Sequence, residues 1–164
     1  MADFKFNIGR GKFREYHDRV ANNDPANSAL IIVLVRAVYG VDEATTDARL
    51  QDLDNLSLVL ADADITEFDG TGYSRRVLTD ADLTATSPDD ANNRVDMDFA
   101  DQTWTSVSAD GSVPSITDAL LCYDSDTTSG DDTNIIVVGN YDFVVTPQGG
   151  NVNLNLNAQG YATV

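Results

Sequence analysis

The sequence predicts an α+β chain, mostly β: an antiparallel β-sandwich or barrel-like body preceded by an N-terminal strand–helix–strand–helix section. Three observations point there. From Tyr73 onward, short alternating apolar runs are separated by clusters of Asp, Gly, Ser and Asn: YSRRVLT, RVDMDF, TWTSV, ALLCYD, NIIVVG, DFVVTP, VNLNLN and YATV. Runs of that length and spacing read as antiparallel strands of a sandwich or barrel. Before residue 61 the spacing is helical, around a single run, LIIVLVRAV (30–38), that is nearly all branched and apolar. That run reads as a strand buried on both faces, so it needs cover from both parts of the chain. Finally, 164 residues at 42% hydrophobic can bury a core without staples, which predicts a single domain over 1–164. Within it, the α/β section spans 1–62 and the β-rich body 73–164.

Each element has its own signal. Phe4, Phe6 and Ile8 alternate with Lys5 and Asn7, the period of a short strand, and Gly9 and Gly11 mark a turn after it. In KFREYHDRVANND, Phe13, Tyr16 and Val20 fall at spacings of three and four, which predicts a short helix. Pro25 pushes Asp24 out of helical space and stops it. Tyr39-Gly40 closes the apolar strand. Thr45 or Thr46 is placed to cap a helix running to about residue 60, with Leu50, Leu53, Leu56 or Ser57, and Leu60 on one stripe and Asp47 at the positive end. ADADITEFDGTGY (61–73) reads as a polar loop, and SDTTSGDDT (125–133) is the most polar loop of all. In NRVDMDFADQTWTSV (93–107), Val95, Met97 and Phe99 face the sheet interior while Asp96 and Asp98 face water. Trp104, the only tryptophan, is expected as a core or inter-sheet anchor. In NVNLNLN, Val152, Leu154 and Leu156 point inward and the asparagines outward.

Charge limits the partners. Ten basic residues face 27 acidic ones, for a net charge of −17. Residues 1–20 hold five cations against three carboxylates, so the excess lies in the rest of the chain. A surface this negative repels phosphate backbones and anionic membranes, so neither nucleic acid nor membrane is an expected partner. The longest apolar run, ALIIVLV (29–35), falls far short of the roughly 20 residues a spanning helix needs. The N-terminal MADFKFNIGRG has no signal-peptide core, and the chain reads as soluble and made in a cytoplasm. The one cysteine, Cys122, permits no intrachain disulfide, and its apolar flanks predict a buried strand thiol.

No catalytic, cofactor or metal site is assigned. Asp124-Ser125-Asp126 opens like a calcium loop but has Ser129 at the sixth position and Ile135 at the twelfth, where glycine and a bidentate acid belong. Asp62-Ala63-Asp64 has Glu67 in place of the glycine. One histidine and one cysteine cannot assemble a zinc set within one chain. His17 lies between charged neighbours and reads as an exposed helix residue, and no Gly-x-Ser-x-Gly elbow accompanies it. GRG (9–11) lacks the phosphate-loop pattern. What stands out is FKFNIGRGKFREYHDR, aromatic and basic in an acidic chain. It reads both as core-facing packing and as a docking segment for an acidic surface.

The series NRVDMDFADQTWTSV followed by ALLCYDSDTTSGDDTNIIVVGNYDFVVTPQGGNVNLNLNAQGYATV resembles small virion structural proteins of tailed bacteriophages. The likeness lies in turns and hydrophobics: Asp101 and Trp104, Tyr123-Asp124, Asp142-Phe143, Gly149-Gly150 and Gly160. The opening FKFNIGRGKFREYHDRVANNDPANSALIIVLV also looks like the start of such proteins. The resemblance implies a capsid decoration (cement) protein of the head decoration family. Such a protein sits on the outer head surface and bridges neighbouring subunits of the major capsid protein. It works as a homo-oligomer, with a trimer favoured by local threefold symmetry. The candidate capsid contact is Phe4, Phe6, Arg10, Lys12 and Arg14. Deleting residues 1–20 is then expected to abolish association while the β body stays folded. The alternatives are a neck or tail structural protein, or a host-surface carbohydrate-binding module using Tyr73, Trp104, Tyr123 and Tyr141. An enzyme would instead show two nearby buried carboxylates in a cleft.

Overall fold

The computed structural model describes residues 3–38, 43–83, 86–156 and 161–163. In chain order its elements are β1 (Phe4–Lys5), α1 (Phe13–Ala21), β2 (Ala29–Ala37), α2 (Glu43–Leu50), α3 (Leu56–Leu60), β3 (Ile65–Glu67) and β4 (Arg76–Leu78). The body continues with β5 (Ser87–Asp89), β6 (Arg94–Met97), β7 (Gln102–Ser108), β8 (Ile116–Asp124), β9 (Ile136–Val145), β10 (Gln148–Leu154) and β11 (Ala162–Thr163). The fold is mostly β with antiparallel sheets, sandwich-like, and no barrel closes.

The apolar run becomes β2, an inner strand of the large sheet. That sheet runs β1-β9-β8-β2-β3, with β4 also on β2. All its pairings are antiparallel. Successive side chains of a strand point to opposite faces. Leu30, Ile32 and Leu34 therefore enter one core cluster, and Ile31, Val33, Val35 and Ala37 enter another. The first cluster is completed by Phe13, Tyr16 and Val20 of α1, Trp104 and Val107 of β7, and Val152 of β10, with Met97, Phe99 and Tyr161. The second is completed by Phe6, Leu50 of α2, and Leu56 and Val59 of α3. The molecule thus has three layers: α2 and α3, then the large sheet, then α1 with two smaller sheets, β10-β7 and β11-β6-β5. The N-terminal section and the body meet in one sheet, because β8 pairs with β2 from Ala29↔Asp124 to Val35↔Asp118.

Several segments differ from the sequence expectation, each for a local reason. The helix expected to reach residue 60 is two helices, and Thr45 and Thr46 lie inside α2. Asn55 breaks it: its Oδ1 accepts the Leu58 N–H (2.9 Å) and caps α3. The Leu56 and Ser57 N–H groups go instead to the Ile135 and Asp132 carbonyls (2.9 and 3.1 Å). NIIVVG and DFVVTP form one strand, β9, running through Gly139 and Asn140. Asn140 does not end it because its amide is buried and donates to Asp118 (3.0 Å). Residues 61–73 are not all loop, since β3 pairs with β2 and Phe68 is buried in the first cluster. β5 was not legible and pairs with β6. Val95 is only half-buried, and Asp96 is held by Arg94 (3.1 Å). Tyr39, Gly40 and Gly160 lie outside the described residues.

His17 overturns its expectation. It is fully buried, and its Nδ1 sits 2.7 Å from the Tyr161 hydroxyl. Tyr161 in turn stacks on Phe99 at 5.1 Å between centroids, and its carbonyl accepts the Tyr141 hydroxyl (3.0 Å). Cys122 is buried as its flanks predict.

Burial pushes the hydroxyls of Tyr73, Tyr141 and Tyr161 above their ordinary value of 10.0. Raised folded-state values mean their stabilisation is complete below that value and is lost as pH rises past it. The melting temperature is therefore expected to start falling above about pH 8.5, where unfolding would free the Cys122 thiol that burial also pushes up, and to fall steeply above about pH 10. Scanning calorimetry across that range checks it. A level melting temperature to about pH 11.5 contradicts it.

Candidate docking surface

The five residues expected at a capsid contact do not form one exposed patch. Phe6 is fully buried in the second cluster, so it is core and not contact. Phe4 is half-buried and packs on Phe6 at 5.1 Å between centroids. The reason is positional. The Phe6 N–H donates to the Val138 carbonyl (3.1 Å), and a Cβ on Gly9 would lie 2.7 Å from that same oxygen. The segment is pressed flat against β9.

Arg10, Lys12 and Arg14 are exposed. Arg10 donates to Gln51 Oε1 (2.7 Å), Lys12 to Glu15 (2.6 Å), and Arg14 lies 3.4 Å from Asp18. Arg19 also reaches Glu15 (3.0 Å). The Lys12 hydrogen bond lowers the Glu15 pKa. On α1 and its entry, three cations thus meet two carboxylates, and the surface is close to neutral. The aromatic anchors that would give such a patch binding energy are underneath it. Deleting residues 1–20 therefore removes core, contrary to expectation.

The acidic loops turn on their own carboxylates. Asp124 Oδ1 accepts the Asp126 N–H (2.9 Å), and Asp126 Oδ1 accepts from the N–H and hydroxyl of Thr128 (3.1 and 2.6 Å). Asp69 accepts from the Ser112 hydroxyl and N–H and the Val113 N–H (2.6, 2.8 and 2.9 Å). These bonds, with those that Asp110 accepts from the Thr71 N–H (2.7 Å) and Asp131 from the Thr133 N–H (2.9 Å), hold the pKa values of Asp69, Asp110, Asp126 and Asp131 below the usual carboxylate value. Arg49 bridges Asp62 and Asp64. Among the described residues no group of three or more His, Cys, Asp or Glu is placed to hold a metal ion.

The aromatics named for a sugar site are engaged elsewhere. Trp104 and Tyr123 are buried, and Tyr123 stacks on Tyr16 at 4.4 Å. Tyr73 belongs to a polar clasp that no local sequence signal announces. β3 and β4 lie along one edge of β2, and the chain leaves that edge between Phe68 and Arg76. At the gap the Tyr73 hydroxyl accepts the Leu34 N–H (3.1 Å) and donates to Glu67 Oε1 (2.9 Å). Arg75 grips Glu67 with two bonds (2.8 and 2.7 Å) and Asp132 with two more (2.5 and 2.9 Å). Because the Asp132 carbonyl also takes the Ser57 N–H, the clasp ties the excursion to α3. Arg75→Met leaves Glu67 and Asp132 as facing like charges. It is expected to cost about 2 kcal/mol in urea unfolding, and an unchanged midpoint refutes the clasp.

A cavity of about 330 Å3 lies on the α1 side of the large sheet, lined by Ile32, Phe99, Leu121, Tyr141, Leu154 and Leu156 among others. Asp3 and Asp142 also line it. Both are exposed. Among the described residues no helix is long and apolar enough to cross a membrane.

No family model, curated protein or solved structure matches this chain. Among the described residues, the loop carboxylates close turns and pair ions, and the one imidazole is buried.

Proposed function

We propose that the chain is a non-enzymatic structural protein of a tailed-bacteriophage particle, acting as a capsid decoration (cement) protein on the outer head. The reading starts from the resemblance of its turn and strand pattern to such proteins. The observation that carries it furthest is where the carboxylates are spent. Asp69, Asp110, Asp126 and Asp131 accept backbone N–H bonds and stiffen exposed loops. Glu67 and Asp132 fasten Arg75. A rigid, strongly acidic shell over a doubly covered sheet suits a clamp that resists outward pressure. In this role the chain bridges major capsid subunits, and a trimer on a local threefold axis uses each contact three times.

Quantitative mass spectrometry of purified virions of the encoding phage tests the reading. Copy number comparable to the major capsid protein supports it. A few copies per particle point to the neck or tail, and absence from particles ends it. Adding the purified chain to bare expanded shells should raise their disruption temperature.

A further inference from the structure

We propose that the outer face of the β7–β10 sheet is a self-association surface, at which a second copy of this chain docks face to face about a twofold axis. The starting observation is where charge is missing. Residues 102–109 and 143–164 hold no charged side chain, in a chain with 27 acidic and ten basic residues. β7 and β10 are drawn from these two stretches and pair with each other, Val152↔Trp104 and Asn153↔Thr103. Val152 and Trp104 are buried, so the opposite face is the outer one, and Thr103, Thr105, Asn151 and Asn153 on it are exposed. The Arg76 guanidinium that binds the Thr103 carbonyl lies over the inward Trp104 ring. The fold thus joins two neutral stretches into one row of hydroxyls and amides.

Two arguments select a second copy as the occupant. A net charge of −17 makes two copies repel wherever carboxylates meet, and a face without charge lets them touch. A twofold contact also brings the same groups together from both sides, so those groups must match themselves. Carboxylates do not, whereas amides and hydroxyls each carry donor and acceptor. Here the Asn153 Oδ1 accepts the Thr103 hydroxyl (2.8 Å), and the Asn151 Oδ1 accepts the Ser106 N–H (3.4 Å). These bonds fix the amides in a row and leave their nitrogens to donate to the hydroxyl oxygens of the other copy. A sugar is the weaker occupant, because Trp104 is buried and the exposed row carries no aromatic ring to stack on it. Two paired seven-residue strands cover roughly 24 by 10 Å, well under the about 800 Å2 per partner of a stable complex. The contact is therefore weak in free solution and fills where copies are crowded side by side.

Nuclear magnetic resonance of the full chain from about 0.05 to about 2 mM tests this. Amide shifts of residues 102–108 and 148–154 are expected to move with concentration, with a dissociation constant on the order of 0.5 mM. Raising salt from about 0.05 to about 0.5 M is expected to tighten association, since it screens the repulsion between two acidic bodies. Asn153→Asp keeps the acceptor for Thr103, places like charge on the contact, and is expected to weaken association at least about fivefold. Asn151→Asp keeps the acceptor for Ser106, adds the same charge, and carries the test if the first variant fails to fold. Asn134→Asp is an equal charge change at an exposed site in the loop bonded to α3, and is expected to leave association unchanged. A chain that is monomeric at every concentration, shifts centred on other residues, or equal weakening by Asn134→Asp overturns the proposal. So does saturable binding of a neutral glycan by a chain that stays monomeric. The measurement needs no virions, so it fails or stands separately from the particle test.

Discussion

Removing residues 1–20 is expected to unfold the chain. The segment contributes Phe6, Phe13, Tyr16 and Val20 to the two clusters, with exposures of 0, 3, 7 and 0%. At about 1.5–3 kcal/mol for each fully buried large side chain, their loss totals roughly 6–12 kcal/mol. A domain of this size holds only about 5–15 kcal/mol in all. The truncation also strips β1 from β9 and takes His17 from Tyr161. Circular dichroism should show no cooperative melt, and proton NMR should show collapsed amide dispersion. A truncated chain that melts cooperatively would mean that the first cluster closes without α1. To probe capsid contact without this confusion, the exposed Arg10 and Arg14 should be reversed in sign within the full chain.

Trp104→Ala carries the next largest effect. The residue, on β7, is 1% exposed and belongs to the core cluster on the α1 side of the large sheet. Its Nε1–H donates to the Ser74 carbonyl (2.7 Å), and the Arg76 guanidinium lies over its face at 5.1 Å. Replacing a buried tryptophan by alanine costs about 3–5 kcal/mol through lost burial and the cavity left behind. Trp104→Phe keeps most of the volume and loses the hydrogen bond, so about 1–2 kcal/mol is expected. Urea titrations followed by circular dichroism measure both. Equal midpoints for the two variants would show that the N–H bond, and not the ring, dominates.

The strongest sequence signals concern local chemistry. The run at 30–38 is so uniformly branched and apolar that only a strand covered on both faces satisfies it, and β2 is that strand. The alternation of NVNLNLN places Val152 inside and Asn151 and Asn153 outside because side chains on a strand alternate. His17 was legible too. It falls four residues after Phe13 and three before Val20, on the buried stripe of α1, and its charged neighbours masked this.

What lay beyond the sequence are meetings between distant segments. Arg75 and Asp132 are 57 residues apart, and Asp3 and Asp142 are 139 apart. Nothing local marks either pair, since an exposed Asp that solvates a turn has the same sequence signature as one that grips an arginine. The depth of Phe6 is of the same kind: alternation says which face it occupies, and only the arrival of β9 and α2 decides that the face is closed. Periodicity is set by the geometry of one backbone, so the chain alone determined β2, the alternation of β10, the apolar stripe of α1 and the negative charge, while β3, β5 and the joining of β9 escaped it. Burial, ion pairing and the joining of two neutral stretches into one face depend on which strands become neighbours, and only the tertiary structure decided that.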